Sequence, residues 1–270
     1  MQHIPRKRFG QNFLKDHSVI EKIIFNVNVK KNDFFLEIGP GLGALTKPII
    51  SKLGENSKLY AVEIDKDLAS HLSKIYIEDS RLVVHPKDVL KIDIQDIFGN
   101  DSIKTLRVIG NLPYNISTQL IFHLLSHKFN NKDGSSLIDD MHFMLQKEVV
   151  DRITASPGSK SYGRLSIMVQ YYCQVEDLFS VPPTAFKPEP KVTSKIIRLK
   201  PFLNRSLNQE EEKILSILVK KSFEQRRKTL KNSLNNFFSK GELQKLNINP
   251  DSRPELLNIN DFQNLAKNFK

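Results

Sequence analysis

Five residues, Gly39-Pro40-Gly41-Leu42-Gly43, constrain this chain more than any other stretch. They follow Phe34-Phe35-Leu36-Glu37-Ile38, an apolar run that reads as a buried strand, and they open a segment that reads as a helix from about Ala44 to Leu53. Glycines let the backbone approach a ligand closely, and a new helix offers free N–H groups at the same point. Leu59-Tyr60-Ala61-Val62 reads as a second strand ending in Glu63, 20 residues after Gly43. A carboxylate at that tip is placed to hold a ribose diol.

The pattern then repeats. A helix is expected from about Asp67 to Ile77, a strand over Arg81–His85, and Asp88 at the carboxyl end of that third strand. Two readings of Asp88 stand side by side: an acceptor for an adenine amino group, or the cap of the helix that follows. Leu106 to Gly110 is the fourth strand, a helix is expected over Ser117–Ser126, Met141-His142-Phe143-Met144-Leu145 is the fifth strand, and Ser194–Lys200 is the last. Strands alternating with helices imply right-handed crossovers and a parallel sheet, so Gly39, Glu63, Asp88 and Asn111 are expected along one crevice.

Gly39-x-Gly41-x-x-Ala44 satisfies the relaxed dinucleotide pattern. Against that reading stands Glu37, two residues before the first glycine, in the acidic-x-Gly-x-Gly arrangement of S-adenosylmethionine (SAM) methyltransferases. A carboxylate there suits the cationic amino-acid end of SAM and repels a pyrophosphate.

The fourth strand breaks into Asn111-Leu112-Pro113-Tyr114. Pro113 fixes its own φ and biases Leu112 toward an extended backbone, so the Leu112 carbonyl can face outward beside the Asn111 amide and the Tyr114 ring. Acceptors beside a ring, with no charge, fit a flat neutral base bearing an amine. Further on, Pro182-Pro183-Thr184-Ala185-Phe186-Lys187-Pro188-Glu189-Pro190 places one aromatic between two pairs of prolines. Phe186 reads either as a ring held toward a ligand or as plain core packing.

Charge is unevenly placed. Of the net +11, residues 180–270 carry 18 Lys and Arg against 9 Asp and Glu, which points to a polyanionic partner for the last third of the chain. There the segment Phe223–Phe238 reads as one helix, with Arg226, Arg227, Lys228 and Lys231 flanking its apolar stripe as phosphate-gripping groups. At the other end, Arg6-Lys7-Arg8-Phe9-Gly10-Gln11-Asn12-Phe13-Leu14 reads as an arm too apolar to stay loose, hence a lid, with Ser18 starting the next helix. The Ser156–Gly163 loop reads as a flap over substrate, and Asn130–Ser136 as a polar loop. His123 and His127 lack the glutamate of a zinc helix and a third ligand, so no metal is expected. No apolar run approaches the ~20 residues of a membrane span, and the lone Cys173 fits a reducing cytoplasm.

Gln11-Asn12-Phe13-Leu14, Glu37-Ile38-Gly39-Pro40-Gly41-Leu42-Gly43, Asn111-Leu112-Pro113-Tyr114-Asn115-Ile116-Ser117, Phe186-x-Pro188-x-Pro190-x-Val192 and Gln225-Arg226-Arg227-Lys228-Thr229 occur in that order. Together they resemble the ribosomal RNA adenine dimethyltransferases, in particular the bacterial small-subunit type. The resemblance implies an α/β fold: a Rossmann-like, seven-stranded SAM-dependent methyltransferase core over residues 1–203, with its arm at 1–17, and a small all-helical RNA- and ribosome-binding domain over 204–270. It implies SAM as cofactor, with Asn12 and Leu14 approaching it from the arm, Gly39 under its amino-acid end, Gly41 also at the cofactor, Glu63 at the ribose and Asp88 at the adenine. Asn111 then lies between cofactor and target base. The implied substrate is a pair of adjacent adenines near the 3′ end of 16S rRNA in the small ribosomal subunit, each dimethylated at N6 by a monomer in the cytoplasm. Rival readings are an adenine methylase of large-subunit rRNA and a non-catalytic ribosome-assembly factor.

Overall fold

The computed structural model describes residues 6, 11–92, 97–98, 103, 105–126, 137–225 and 227–269. The first element is a two-residue strand, β1 (Phe13–Leu14), followed by helix α1 (His17–Val27). The cap of α1 is Asp16, whose carboxylate accepts from the Ser18 and Val19 N–H groups, so the helix starts ahead of the Ser18 expected from sequence.

Strands β2 (Phe35–Ile38) and β3 (Leu59–Val62) are buried at every position, as apolar runs in a parallel sheet covered on both faces must be. Between them the glycine turn leads into α2 (Thr46–Ile50), which begins two residues later than expected. Then come α3 (Lys66–Ile75), β4 (Leu82–His85), β5 (Leu106–Asn111), α4 (Ser117–Leu124), β6 (Ile138–Gln146), α5 (Lys147–Ile153), α6 (Arg164–Tyr172), β7 (Cys173–Val181), β8 (Phe186–Lys187) and β9 (Ser194–Pro201).

Seven strands form one sheet in the order β4-β3-β2-β5-β6-β9-β7. β4, β3, β2, β5 and β6 pair in parallel, and β9 enters antiparallel to β6. From β2 the chain builds outward to β3 and β4 on one side and returns through β5 and β6 on the other. That reversal opens a crevice at the carboxyl ends of β2 and β5, the place where open α/β sheets bind ligands. Strand β7, which the sequence reading passes over, lies outside β9, so the last strand in the chain is not at the sheet edge. A second sheet consists of β1 and β8 alone.

Gly110 decides how closely β2 and β5 run. A Cβ there would stand 2.6 Å from the Ile38 carbonyl oxygen and 2.9 Å from Leu112 Cδ2, so only glycine permits this separation.

The chain forms two compact units, residues 1–150 with 176–201, and residues 151–175 with 202–270. The sequence reading divides the chain at 203/204, whereas here the segment 151–175 clusters with the C-terminal residues. The second unit continues with α7 (Gln209–Glu224), α8 (Leu230–Ser233), α9 (Lys240–Lys245) and α10 (Ile259–Lys267). Its interior includes Leu215, Leu218, Val219, Phe262 and Leu265, with a buried Glu212 that accepts from Arg205 at 2.6 Å and from the Tyr171 hydroxyl at 3.0 Å. Residues 156–163, read from sequence as a flap over substrate, belong to this unit, where the Gly158 N–H donates to the Glu255 carbonyl and Tyr162 is buried. Among the described residues no helix is long and apolar enough to cross a membrane.

The single helix expected over Phe223–Phe238 is two pieces. α7 stops at Glu224, and α8 opens only at Leu230, because the Leu230 and Lys231 N–H groups donate to the carbonyls of Ser252 and Pro250 instead of to the preceding turn. The apolar stripe still marks the interior, since Leu230, Leu234 and Phe238 are buried.

Candidate active site

The first unit holds a cavity at the sheet reversal, walled by the arm, the glycine turn, the ends of β3 and β4, and the turn after β5. Of the residues expected at a cofactor, Asn12, Leu14, Gly39, Gly41, Glu63, Asp88 and Asn111 all line it, and so do Leu112, Pro113 and Tyr114. Phe186 does not. It is fully buried among Leu14, Ile23, Ile24 and Ile196, because β8 pairs antiparallel with β1 and sets Phe186 opposite Leu14. The core-packing reading of Phe186 is therefore the one the structure has, in place of a ring held toward a ligand.

Gly39, Gly41 and Gly43 have φ of 65°, 58° and 82°, a left-handed path that an L side chain adopts only at a cost. At Gly41 space matters as well, since a Cβ would meet the Phe13 ring at 3.1 Å. Phe13, which the sequence reading did not single out as a site residue, thus closes directly over the glycine turn.

Three carboxylates face the cavity. Glu37, at the end of β2, is buried and accepts from Thr46 Oγ1 at 2.6 Å. Burial pushes its carboxyl up to about 7, with the Thr46 bond opposing and the nearby Glu63 charge adding to the rise. Glu63 accepts from the Gly41 N–H at 3.1 Å and the Asp65 N–H at 2.9 Å. Burial also raises its carboxyl, and those two amides hold the rise in check. Asp88 accepts from the Leu90 N–H at 3.1 Å, so it both caps the short turn Val89–Lys91 and lines the cavity.

Among the described residues Lys87 is the one cationic side chain of that lining, against Glu37, Glu63 and Asp88. A donor set of this sign repels a pyrophosphate and suits a ligand with a cationic head and hydroxyls to donate. Apolar surface from Leu45, Ile64, Leu68 and Val89 completes the walls.

The arm is fastened over this cavity. Arg6 pairs with Asp65 at 3.1 Å and with Asp67, Gln11 Nε2 donates to Asp65 at 3.1 Å, and the Lys15 N–H donates to the Ala185 carbonyl at 2.9 Å. Asn111 Nδ2 donates to the Asn12 carbonyl at 2.9 Å, which turns the amide oxygen to the opposite side. On the next residues the Leu112 N–H donates to the Met144 carbonyl at 3.2 Å, and Tyr114, half-buried, shares a 2.7 Å hydrogen bond with Ser194. Neither Thr46 nor Ser194 carries a signal in the sequence as serving the site, whereas Gly110 ends the apolar run that breaks into the turn Asn111–Tyr114.

The basic residues expected to grip phosphate are less uniform than the sequence implies. Arg227 and Lys228 are exposed, Lys231 is paired with Asp251, and Arg226 lies outside the described residues, as do His127 and the 130–136 loop. Since α7 has ended before Arg227, these groups sit on a turn and on α8, not along one helix.

A family model described as ribosomal RNA adenine dimethylase matches residues 2–270. Among curated relatives, a protein of Legionella pneumophila (strain Corby) named ribosomal RNA small subunit methyltransferase A is 48% identical over 267 residues, covering 99% of this chain and 98% of its own. One of the same name from Acinetobacter baylyi is 50% identical over 264 residues, covering 98% and 92%. Among solved structures, a dimethyladenosine transferase from Plasmodium falciparum superposes with a TM-score of 0.77 at 28% identity, over 94% of this chain and 95% of that one. The chain belongs to the ribosomal RNA adenine dimethylase family.

Proposed function

We propose that this enzyme uses SAM to dimethylate, at N6, two adjacent adenines near the 3′ end of 16S rRNA in the small ribosomal subunit, within the cytoplasm. The observation that carries the reading is one cavity whose lining joins the carboxylates Glu63 and Asp88 to the turn Asn111-Leu112-Pro113-Tyr114. Family membership and the names of the full-length relatives give the substrate class.

The residues present fit SAM. Gly39 and Gly41 give its amino-acid end room, Glu37 offers that end a negative group, Glu63 is placed for the ribose hydroxyls and Asp88 for the adenine amine. When bound, SAM supplies an electrophilic methyl group on a sulfonium. The chain's own work is on the acceptor. An adenine amine is a poor nucleophile because its lone pair is delocalised into the ring. The Asn111 amide oxygen, turned away from the Asn12 carbonyl, and the Leu112 carbonyl accept its two N–H bonds. That favours a pyramidal nitrogen aimed for direct transfer, with no covalent enzyme intermediate. Tyr114 provides the face on which the extruded base stacks, partly offsetting an unstacking cost of a few kcal/mol. Arg227 and Lys228, with Arg226, are the groups we assign to rRNA phosphates.

Labelled methyl transfer from SAM to immature small subunits lacking the modification, with naked 16S rRNA and large-subunit rRNA alongside, tests this. Label on small-subunit adenines is expected. Transfer to large-subunit rRNA alone would reassign the substrate, and transfer to none would leave a ribosome-assembly factor.

A further inference from the structure

The turn that carries Tyr114 is fixed at its backbone: the Pro113 carbonyl accepts from the Ile116 N–H at 3.2 Å, and the Tyr114 carbonyl from Ser117 Oγ at 3.2 Å. Those bonds do nothing for the ring, which hangs on two rotatable bonds and is only half-buried at the cavity edge. Its hydroxyl, however, meets Ser194 Oγ at 2.7 Å. Ser194 is fully buried and is not part of the cavity lining. It stands opposite Gln146 where β9 joins β6, and the Lys147 N–H donates to the Thr193 carbonyl at 2.9 Å, so its Oγ is carried on a sheet ladder. The anchor is therefore stiffer than the ring it holds.

We propose that Ser194 is a positioning residue for methyl transfer, holding the Tyr114 ring through its hydroxyl in the plane on which the target adenine stacks. This rests on the reading of Tyr114 as the stacking platform. A ring locked before substrate arrives loses no rotamer freedom when the base lands on it. Burial also raises the Tyr114 hydroxyl, so it stays a neutral phenol and its face carries no charge. The same segment that ends at Ser194 begins at Phe186, which pairs with the arm at Leu14. One stretch of chain thus braces both the arm over the cofactor cavity and the ring beside the target base.

The test is a set of variants assayed by labelled methyl transfer to immature small subunits, with SAM affinity read by calorimetry and folding by thermal unfolding. Ser194→Ala is expected to lower kcat roughly three- to ten-fold, the range of one neutral hydrogen bond, with KM for the subunit and SAM affinity unchanged. Tyr114→Phe removes the same bond from the other side and should match it. The double variant should be no worse than Tyr114→Phe alone, and Ser194→Thr, which keeps the Oγ, should restore most of the rate. Wild-type kcat in both Ser194→Ala and Tyr114→Phe, or additive losses in the double variant, would overturn the positioning role while leaving the platform intact. Wild-type kcat in Tyr114→Ala would remove the platform itself, and the inference with it.

Discussion

The side-chain amide of Asn111 donates to the backbone carbonyl of Asn12 at 2.9 Å across 99 residues of sequence. A carbonyl can only accept, so the Asn111 nitrogen must face the arm and its oxygen must face away. The arm thereby sets the orientation of the Asn111 amide, the group proposed above to receive the target amine. Asn111→Ala should lower kcat roughly 10²- to 10³-fold, as loss of one oriented transition-state group does. SAM affinity, measured by calorimetry, should change far less, and comparable losses in both would argue against this role.

Among the described residues Arg6 is the outermost fastening of the arm, paired with buried Asp65 and exposed Asp67. Its side chain is 38% exposed, so the pairs contribute at most about 1 kcal/mol after solvent screening. Arg6→Ala is expected to weaken SAM binding by no more than about five-fold, to speed hydrogen exchange at residues 11–14, and to leave thermal stability nearly unchanged.

Glu37 is expected to make cofactor binding pH-dependent. Its carboxyl is held at about 7 in the folded chain, against an ordinary value of 4.5. A cationic amine brought beside it favours the carboxylate, so SAM binding below about pH 7 should release a proton and affinity should rise as pH is raised from about 6 to 8. Calorimetry in buffers of different ionisation enthalpy reads the proton directly, and Glu37→Gln should abolish both effects. For stability the sign is opposite to that of an ordinary salt-bridged acid. Between about pH 4.5 and 7 the folded chain keeps a proton that the unfolded chain releases, so this group's contribution to stability falls as pH rises through that window.

Two glycines should respond differently to alanine. Gly39→Ala has room for its Cβ, the nearest atom being the Asn111 carbonyl oxygen at 4.0 Å, and its cost is that of φ at 65°, about 1 to 2 kcal/mol. Gly110→Ala must push the Ile38 carbonyl away from 2.6 Å, parting β2 from β5, and should cost about 3 kcal/mol. Urea unfolding separates the two. Equal losses would mean that the strands yield more easily than packed sheets do.

Phe186→Ala discriminates core packing from a ligand-facing ring. A fully buried phenylalanine truncated to alanine is expected to lose about 3 to 5 kcal/mol of stability, seen in denaturant unfolding. A ring held out in the cavity would instead leave stability intact and lower only the rate.

The sequence by itself determined the sheet core and the first ring of the site. Strands β2 and β3 announce themselves because apolar runs bounded by glycine and polar turns are local signals. Glu63, Asp88 and Asn111 could be placed because parallel topology puts every strand's carboxyl end on the same edge. The apolar stripe from Leu230 to Phe238 likewise named buried residues, even though one helix ends at Glu224 and the next begins only at Leu230. Tertiary structure alone decided the rest. Phe186 turns inward because β8 pairs with β1, the ring of Tyr114 finds Ser194 across 80 residues because β9 doubles back against β6, and Lys231 meets Asp251 from beyond the helix Lys240–Lys245. Each is a contact between segments distant in sequence, set by which strand or loop packs where. Periodicity encodes which face of an element is apolar, and carries no information about the partner that face or side chain will meet.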